Sequence, residues 1–149
     1  MSGCGAEHDL ISIDQALALI QQKIYALPTE VILLNDALNR YLAEDIYAEI
    51  NLPLFSQSAV DGYAIHSTES IVENSCFELI GEIRAGQPAE FELKQGQAIR
   101  IFTGAKIPQG TTTVARQEIV EFINLNTIQM TENLKLHADI RDVGEEISI

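Results

Sequence analysis

The most informative segment of the chain reads LPLFSQSAVDGYAI, from Leu52 to Ile65. Pro53 is incompatible with a central strand or a helix interior, because it fixes φ and lacks an N–H donor. Asp61-Gly62 is typical of tight turns, because glycine adopts positive φ at little cost and aspartate tolerates it. The segment therefore predicts either a loop that leads into a hairpin, or a rigid turn that holds the Asp61 carboxylate toward a ligand or metal.

The composition limits the classes to which this protein can belong. The chain has 149 residues, is 46% hydrophobic and carries a formal net charge of −13, which predicts one or two small folded domains rather than a disordered chain. Nucleic acids and anionic membranes attract basic surfaces, so we expect neither as a partner. Neither a membrane-spanning apolar run nor a signal-peptide pattern is present, so we expect a cytoplasmic location.

Cysteines and histidines are sparse. Cys4 and Cys76 are far apart and lack CxxC spacing, so we expect two reduced thiols rather than a disulfide. The histidines His8, His66 and His137 show no ligand spacing, which argues against a zinc site.

The N-terminal part of the sequence predicts a tail followed by a helix. Residues 1–11 are polar and contain glycine. Ser12 and Gln15 have the spacing of a capping box, which predicts a helix over 13–26 that Pro28 ends. One face of this helix carries apolar residues in steps of three and four, at Ile13, Leu17, Ile20, Ile24 and Leu27.

Short apolar segments separated by glycine and proline make up the rest of the chain. Residues 31–34 predict a strand, and 35–40 predict a short helical segment that Asn35 caps and that Asn39 closes in a left-handed conformation. Residues 41–50 are expected to be extended. The further strand candidates are 77–83, 91–93, 98–102, 113–116, 120–123, 127–130 and 134–137. This spacing predicts an α+β fold that is mostly β, with a barrel or sandwich body.

A second cluster with chemical potential is AIRIFTGAKIPQG, residues 98–110. A strand is expected to end at Thr103-Gly104, where backbone N–H groups would become free. The hydroxyl of Thr103 can bond an anion or support a metal-bound water, and Gly104 allows a ligand to approach the backbone. A plain turn between strands is the alternative, and the P-loop pattern is absent.

A third cluster is IRDVGEE, residues 140–146. Arg141 offers a guanidinium fork for phosphate or carboxylate. Glu145 and Glu146 are hard oxygen ligands of the type that Mg²⁺ uses. A solvated charged turn is the alternative interpretation. The sequence shows no Ser-His-Asp set and no cysteine nucleophile.

Taken together, these clusters resemble the molybdopterin molybdenumtransferase family, which includes the gephyrin E domain. The family patterns LPxFDNSAMDGYA, GExxAG, GxAxRIxTGAxxPxGADxVVxxE and NIRxxGED match LPLFSQSAVDGYA at 52–64, GEIRAG at 81–86, RIFTGA with PQG within 100–110, and DIRDVGEE at 139–146. The resemblance covers about 13–149. The joint occurrence of these patterns in this order is far more specific than any one of them.

The resemblance implies an enzyme that inserts molybdate into adenylylated molybdopterin and releases AMP, with Mg²⁺ involved. Such enzymes are elongated homodimers, and molybdopterin-synthesis enzymes are further expected partners. The implied domains are a tail (1–11), an N-terminal helix (12–28), a small mixed α/β domain (29–50 plus 138–149) and a β-rich, barrel-like or bifurcated-sheet domain (51–137). The helix is expected to pack on a downstream domain that this chain lacks. We therefore expect an N-terminal part of a longer enzyme, inactive by itself.

The resemblance also implies a set of site residues. The expected catalytic residues are Asp61, Thr103 and Glu146, of which Asp61 and Glu146 are the expected metal ligands. The expected ligand-binding residues are Ser58, Gly104 and Arg141.

Several positions depart from the family pattern. Ser56 and Gln57 replace Asp-Asn, Thr112 replaces the aspartate of GAD, and Asp139 replaces an asparagine. Glu146 replaces an aspartate and is one methylene longer, which could displace a bound metal. These departures favour an alternative, a non-catalytic dimerisation or docking module derived from the family. An unrelated small β-barrel binding protein would require a chance match of the motifs.

Overall fold

The computed structural model describes residues 10–149. The predictions for Cys4, for His8 and for most of the tail therefore lie outside the described residues. The chain divides into two compact units, Met1–Asp45 and Ile46–Ile149. Within the described residues, no helix is long and apolar enough to cross a membrane.

The first unit contains helix α1 (Ile13–Lys23). The predicted capping box is confirmed, because the Gln15 N–H donates to Ser12 Oγ at 3.1 Å and Gln15 Oε1 accepts from the Ser12 N–H at 3.0 Å. The helix ends before residue 26, where the apolar pattern predicted its end. Pro28 has no N–H to donate to the last turn, and the residue before a proline avoids the α region, so the final turn is lost. No residue of α1 is buried.

The predicted strand at 31–34 is wrong. This segment has no strand partner, and Leu34–Asp36 forms a 3₁₀ helix instead. Asn35 lies inside this helix, whose N-cap is Leu33, so the predicted capping role is also wrong. Asn39 has a φ of 63°, which confirms the predicted left-handed closing position. Apolar residues alone did not create a strand here, because a strand needs a hydrogen-bonded neighbour.

The second unit, which is described completely, is built from short strands and a 3₁₀ helix at Gln117–Ile119. The strands are β1 (Gln57–Ser58), β2 (Gly62–Ile65), β3 (Cys76–Ile83), β4 (Gln97–Ile101), β5 (Thr113–Arg116), β6 (Val120–Asn124), β7 (Thr127–Met130) and β8 (Ile140–Arg141). In this unit Cys76 is a free, exposed thiol.

Six of these strands form one mixed sheet in the order β5-β2-β4-β3-β7-β6. Neighbouring strands run antiparallel except β3 and β4, which are parallel. The remaining strands, β1 and β8, pair with each other, and Ser58 lies opposite Ile140. A curled, strand-rich unit with a helix elsewhere in the described chain confirms the predicted α+β, mostly β fold.

The core of the second unit covers both faces of the sheet. Side chains alternate between the faces of a strand, and β2 places Tyr63 and Ile65 in one apolar cluster and Ala64 in another. Every residue of β2 is buried. The central strand β4 contributes Ile99 and Ile101, which have no exposed surface. The residues that flank β2 and β4 are therefore held by a rigid double-faced core.

Most of the predicted strands of this unit are confirmed to within a residue or two, but two are wrong. Residues 91–93 and 134–137 form only isolated bridges, between Glu92 and Gln109 and between Ile71 and Leu134. Leu93 is nonetheless buried, so its apolar character serves the core without a ladder. The assignment of 29–50 and 138–149 to one small domain stays a prediction.

Candidate functional site

The Asp61 turn connects β1 to β2, but it does not form a hairpin. Strand β1 pairs with β8, whereas β2 pairs with β4 and β5, so the hairpin interpretation is wrong. Gly62 does not have the positive φ expected of a turn glycine. It is required for another reason, because a Cβ at this position would lie 2.0 Å from the carbonyl oxygen of Ala115. The close approach of β5 holds the turn in place.

The carboxylate of Asp61 is bound by the second motif. Asp61 Oδ1 accepts hydrogen bonds from the Thr103 N–H at 2.8 Å and from Thr103 Oγ1 at 2.7 Å. These two bonds, the backbone bond first, and the positive charge of Arg100 lower the pKa of the exposed Asp61 carboxyl below its ordinary value. Both bonds use the same oxygen, so Oδ2 remains available to a ligand or a metal ion. The structure thus joins Asp61 and Thr103, which lie far apart in the sequence.

The backbone N–H groups at Thr103 and Gly104 are not free, which corrects the expectation for the end of this strand. The Thr103 N–H binds Asp61, and the Gly104 N–H donates to the Ser58 carbonyl at 2.9 Å. Gly104 has a φ of 80°, and an added Cβ would meet only the Ala85 Cβ, at an ordinary contact distance of 4.0 Å. The donors that the sequence suggested for an anion instead fasten the second motif to the first.

Ser58 is buried beneath this turn. Its hydroxyl donates to the Val60 carbonyl at 2.6 Å, and its N–H donates to the Ala105 carbonyl at 3.0 Å. Only 1% of Ser58 is exposed. As placed, Ser58 supports the Asp61 turn, and its contact with a ligand stays a prediction.

The third motif reaches the first through the β1–β8 pair, in which Gln57 lies opposite Arg141. Arg141 Nη1 donates to Glu146 Oε1 at 2.9 Å, and Arg141 Nε lies 3.9 Å from Glu145 Oε1. The Glu146 N–H is bound by the Leu52 carbonyl at 2.9 Å. Within this motif the cation and the acids therefore satisfy each other.

The described residues fit a magnesium ion only in part. Asp61 Oδ2 can serve as one carboxylate ligand, and Mg²⁺ commonly binds one or two carboxylates together with substrate phosphates and water. Glu146 is bound to Arg141, and no contact joins it to Asp61 among residues 10–149. This part of the chain also contains no cluster of three or more histidine, cysteine, aspartate or glutamate residues suited to a metal. Glu146 as a metal ligand stays a prediction.

Sequence reasoning missed Arg100 as a site residue. Its guanidinium carbon lies 4.9 Å from the ring centre of Tyr63 and 5.1 Å from that of Phe102. Arg100 Nη2 donates to Gln117 Oε1 at 2.7 Å, and the Gln117 N–H donates to the Asp61 carbonyl at 3.0 Å. The only signal in the sequence is a cation inside the apolar strand AIRIF. Its meaning depends on the register that places Tyr63 opposite Arg100.

These contacts define a class of protein: a strand-rich module in which a curled mixed sheet and a strand pair bring three distant motifs together beside one exposed carboxylate. The chain belongs to the family described as the MoeA N-terminal region (domain I and II), whose model matches residues 11–149. The match includes all three motifs, the residues that link them and nearly the whole described chain.

Individual relatives agree with this family. The chain is 37% identical over 139 residues to the molybdopterin molybdenumtransferase of Haemophilus influenzae, covering 93% of this chain and 34% of the relative. It is 38% identical over 120 residues to that of Bacillus subtilis, covering 78% and 28%. The chain spans about a third of the length of these curated relatives.

A solved structure is also similar. The molybdopterin biosynthesis moeA protein from Pyrococcus horikoshii OT3 superimposes with a TM-score of 0.76 and 32% sequence identity. The superposition covers 94% of this chain and 38% of that chain. The fold is therefore that of the N-terminal part of a MoeA protein.

Proposed function

We propose that this chain acts in molybdenum cofactor biosynthesis, as the N-terminal part of an enzyme that inserts molybdate into adenylylated molybdopterin and releases AMP. The observation that carries the proposal is the bond between Asp61 and Thr103, which joins two motifs of a family whose curated members are molybdopterin molybdenumtransferases. A packing role alone would not require an exposed carboxylate held by two hydrogen bonds.

Asp61 is the central residue of this proposal. Its lowered pKa keeps the carboxylate ionised, and the bonds from Thr103 fix its direction. Asp61 would hold Mg²⁺ through Oδ2, and the ion when bound supplies positive charge that offsets the charge of the phosphate groups. Ser58 and Gly104 hold the loop that carries Asp61.

The acidity of the chain is compatible with an anionic substrate. A net charge of −13 repels anions at long range, but local donors and a bound metal dominate at contact distance, because salt screens distant charges. Molybdate and adenylylated molybdopterin are the proposed substrates. The proposed assembly is a homodimer of the complete enzyme. Glu146 completes the proposed site from the turn after β8, and Arg141 holds it there through the 2.9 Å bond between their side chains.

The test is to let this chain replace the matching N-terminal third of the Haemophilus influenzae enzyme and to measure AMP release with molybdate, Mg²⁺ and adenylylated molybdopterin. The chimera should release AMP, and Asp61→Asn should reduce the release to background. Asp36→Asn, which also removes one exposed carboxylate, is the matched control and should behave like the parent chimera. Full activity of the Asp61→Asn chimera would remove Asp61 from the site.

A docking module is the second candidate, and the exposed apolar face of α1 favours it. Ile13, Leu17 and Ile20 have exposed fractions of 79%, 52% and 50%, and exposed apolar stripes commonly mark interaction surfaces. A folded chimera that releases no AMP, together with a chain that self-associates in ultracentrifugation, would support this candidate over the enzyme.

A further inference from the structure

Arg100 differs from the other arginines of the chain in its charge partners. The other arginines each form an ion pair with a carboxylate, namely Arg40 with Glu30, Arg84 with Glu82, Arg116 with Asp139, and Arg141 with Glu145 and Glu146. Among residues 10–149, no carboxylate oxygen lies within 4.0 Å of the Arg100 guanidinium. Arg100 is therefore the one arginine among residues 10–149 that forms no ion pair.

The position of the Arg100 guanidinium is fixed by neutral groups. It lies over the rings of Tyr63 and Phe102 at 4.9 and 5.1 Å, and the amide oxygen of Gln117 accepts one of its hydrogen bonds at 2.7 Å. Stacking on aromatic faces restrains a guanidinium without neutralising it. A guanidinium has five N–H donors, so most of the donors of Arg100 remain available for another group.

A cavity of about 690 Å³ opens beside this guanidinium. Its volume lies in the range of small-molecule sites. Tyr63 is almost completely buried, and its ring meets that of Phe122 edge to face at 6.2 Å. The cavity is lined by Arg100 and by apolar or aromatic side chains, which include Tyr63, Phe122, Leu79, Ile80 and Leu125. Its other charged lining residue, Glu82, is paired with Arg84 at 2.7 Å.

We propose that Arg100, rather than Arg141, binds a tetrahedral oxyanion at this site. An anion that approached Arg141 would have to displace Glu146 from a 2.9 Å contact, whereas Arg100 gives up no carboxylate. The planar fork of an arginine suits bidentate binding of oxyanions. The anion is molybdate or the phosphate group of a nucleotide, a choice that rests on the proposed function.

Arg100 is also tied to the Asp61 turn. Gln117 accepts from Arg100 through its side chain and donates from its backbone N–H to the Asp61 carbonyl. The cation that binds the anion and the carboxylate that would hold a metal are thus linked through one residue. An anion on Arg100 and a metal ion on Asp61 would thus be held by the same part of the fold, an arrangement suited to a reaction at a phosphate group.

The experiment titrates this chain with molybdate, with inorganic phosphate and with AMP at low ionic strength, by calorimetry and by NMR of the arginine Nε–H signals. Arg100→Gln should weaken the binding of molybdate by about tenfold or more. Arg141→Gln, at the competing arginine, and Arg116→Gln, the control at an arginine that does not line the cavity, should each change it by less than about twofold. All three variants remove one positive charge, so long-range attraction falls equally and only local contact distinguishes them. Arg100→Lys should lie between the wild type and Arg100→Gln, because it keeps the charge and loses the fork.

The outcomes separate clearly. A larger loss with Arg141→Gln, an equal loss with all three variants, or no binding by the wild-type chain up to about 10 mM anion would each overturn the proposal. Tighter binding of molybdate than of AMP identifies the metal oxyanion as the ligand, and the reverse identifies a nucleotide phosphate; both support the site. A far-UV circular dichroism spectrum that matches the wild type excludes misfolding. An inactive chimera together with Arg100-dependent binding would refute the proposed function and keep this site.

Discussion

Gly62→Ala tests whether the close approach of β5 holds the Asp61 turn. The added Cβ would lie 2.0 Å from the Ala115 carbonyl oxygen and 2.9 Å from its carbonyl carbon. Both contacts are with backbone, so no side-chain rotation relieves them. Strand β5 must move away from β2 by at least about 1 Å for the carbon and oxygen to reach ordinary contact distance.

The loss of stability can be worked out from the hydrogen bonds and packing that a shift of β5 away from β2 would disrupt. The β2–β5 ladder runs from Gly62 opposite Arg116 to Ile65 opposite Thr113. Opening its first end removes one or two hydrogen bonds at about 1 kcal/mol each, and overpacking beside the fully buried Ala115 adds about 1–3 kcal/mol. We therefore expect Gly62→Ala to lower the free energy of unfolding by about 2–5 kcal/mol, a large part of the stability of a small domain.

The assay is urea unfolding followed by far-UV circular dichroism, because the chain contains no tryptophan. Gly86→Ala is the matched control. Gly86 has a φ of 82°, and no atom lies within 4 Å of the position that an added Cβ would take, so its alanine variant should lose only about 1 kcal/mol through left-handed strain. If Gly62→Ala loses no more stability than Gly86→Ala, the close-approach argument is refuted.

Thr103→Val should raise the pKa of the Asp61 carboxyl toward its ordinary value, because it removes one of the two hydrogen bonds that lower it; NMR titration of the side-chain carboxyl carbon measures this, and an unchanged pKa would contradict it. A carboxyl whose pKa is lowered in the folded state stabilises that state at pH values above its ordinary pKa, and this stabilisation is lost as the pH falls through the folded-state pKa. The free energy of unfolding of Thr103→Val should therefore change less with pH in the acid range than that of the wild type. Ile99→Ala should cost about 2–5 kcal/mol in urea unfolding, because Ile99 is fully buried on β4. Ile123→Ala, at a 54% exposed position, should cost clearly less, and equal costs would contradict the assigned core.

The local features of the fold were predictable from the sequence. The capping box of Ser12 and Gln15 and the left-handed Asn39 are decided by neighbouring residues, and both are confirmed. Strands such as β7 (Thr127–Met130) combine several apolar residues with turn residues at both ends, so their bounds were also predictable. The segments 31–34 and 91–93 have the same apolar character, but 31–34 has no strand partner and 91–93 forms only an isolated bridge with Gln109. Whether a segment finds a full ladder is decided by the tertiary fold.

The sequence indicated several residues of the candidate site, but not which of them bind one another. The motifs indicated Asp61 and Thr103, and the structure brings them into contact. The sequence did not show that the Gly104 N–H would bind Ser58, nor that Arg141 would be paired with Glu146. Arg100 was missed because its importance depends on the cross-strand register that brings it to Tyr63 and on the ion pairs that the other arginines form. Both are properties of the folded chain.

The pairing of β1 with β8 sets the order in which the site can mature during protein synthesis. Ser58 pairs with Ile140, and the ribosome releases the chain from its N-terminus onward. While residues 59–139 emerge, the segment before Asp61 can already bind residues 104–107 through its backbone, and the sheet of β2, β3 and β4 can form, but the partner strand β8 is still missing. Pairings between residues so distant in sequence carry a high loop-closure cost and form late. A nascent chain can therefore fold its sheet before the site is complete. The third motif joins the Asp61 turn only when β8 has been synthesised and has paired with β1.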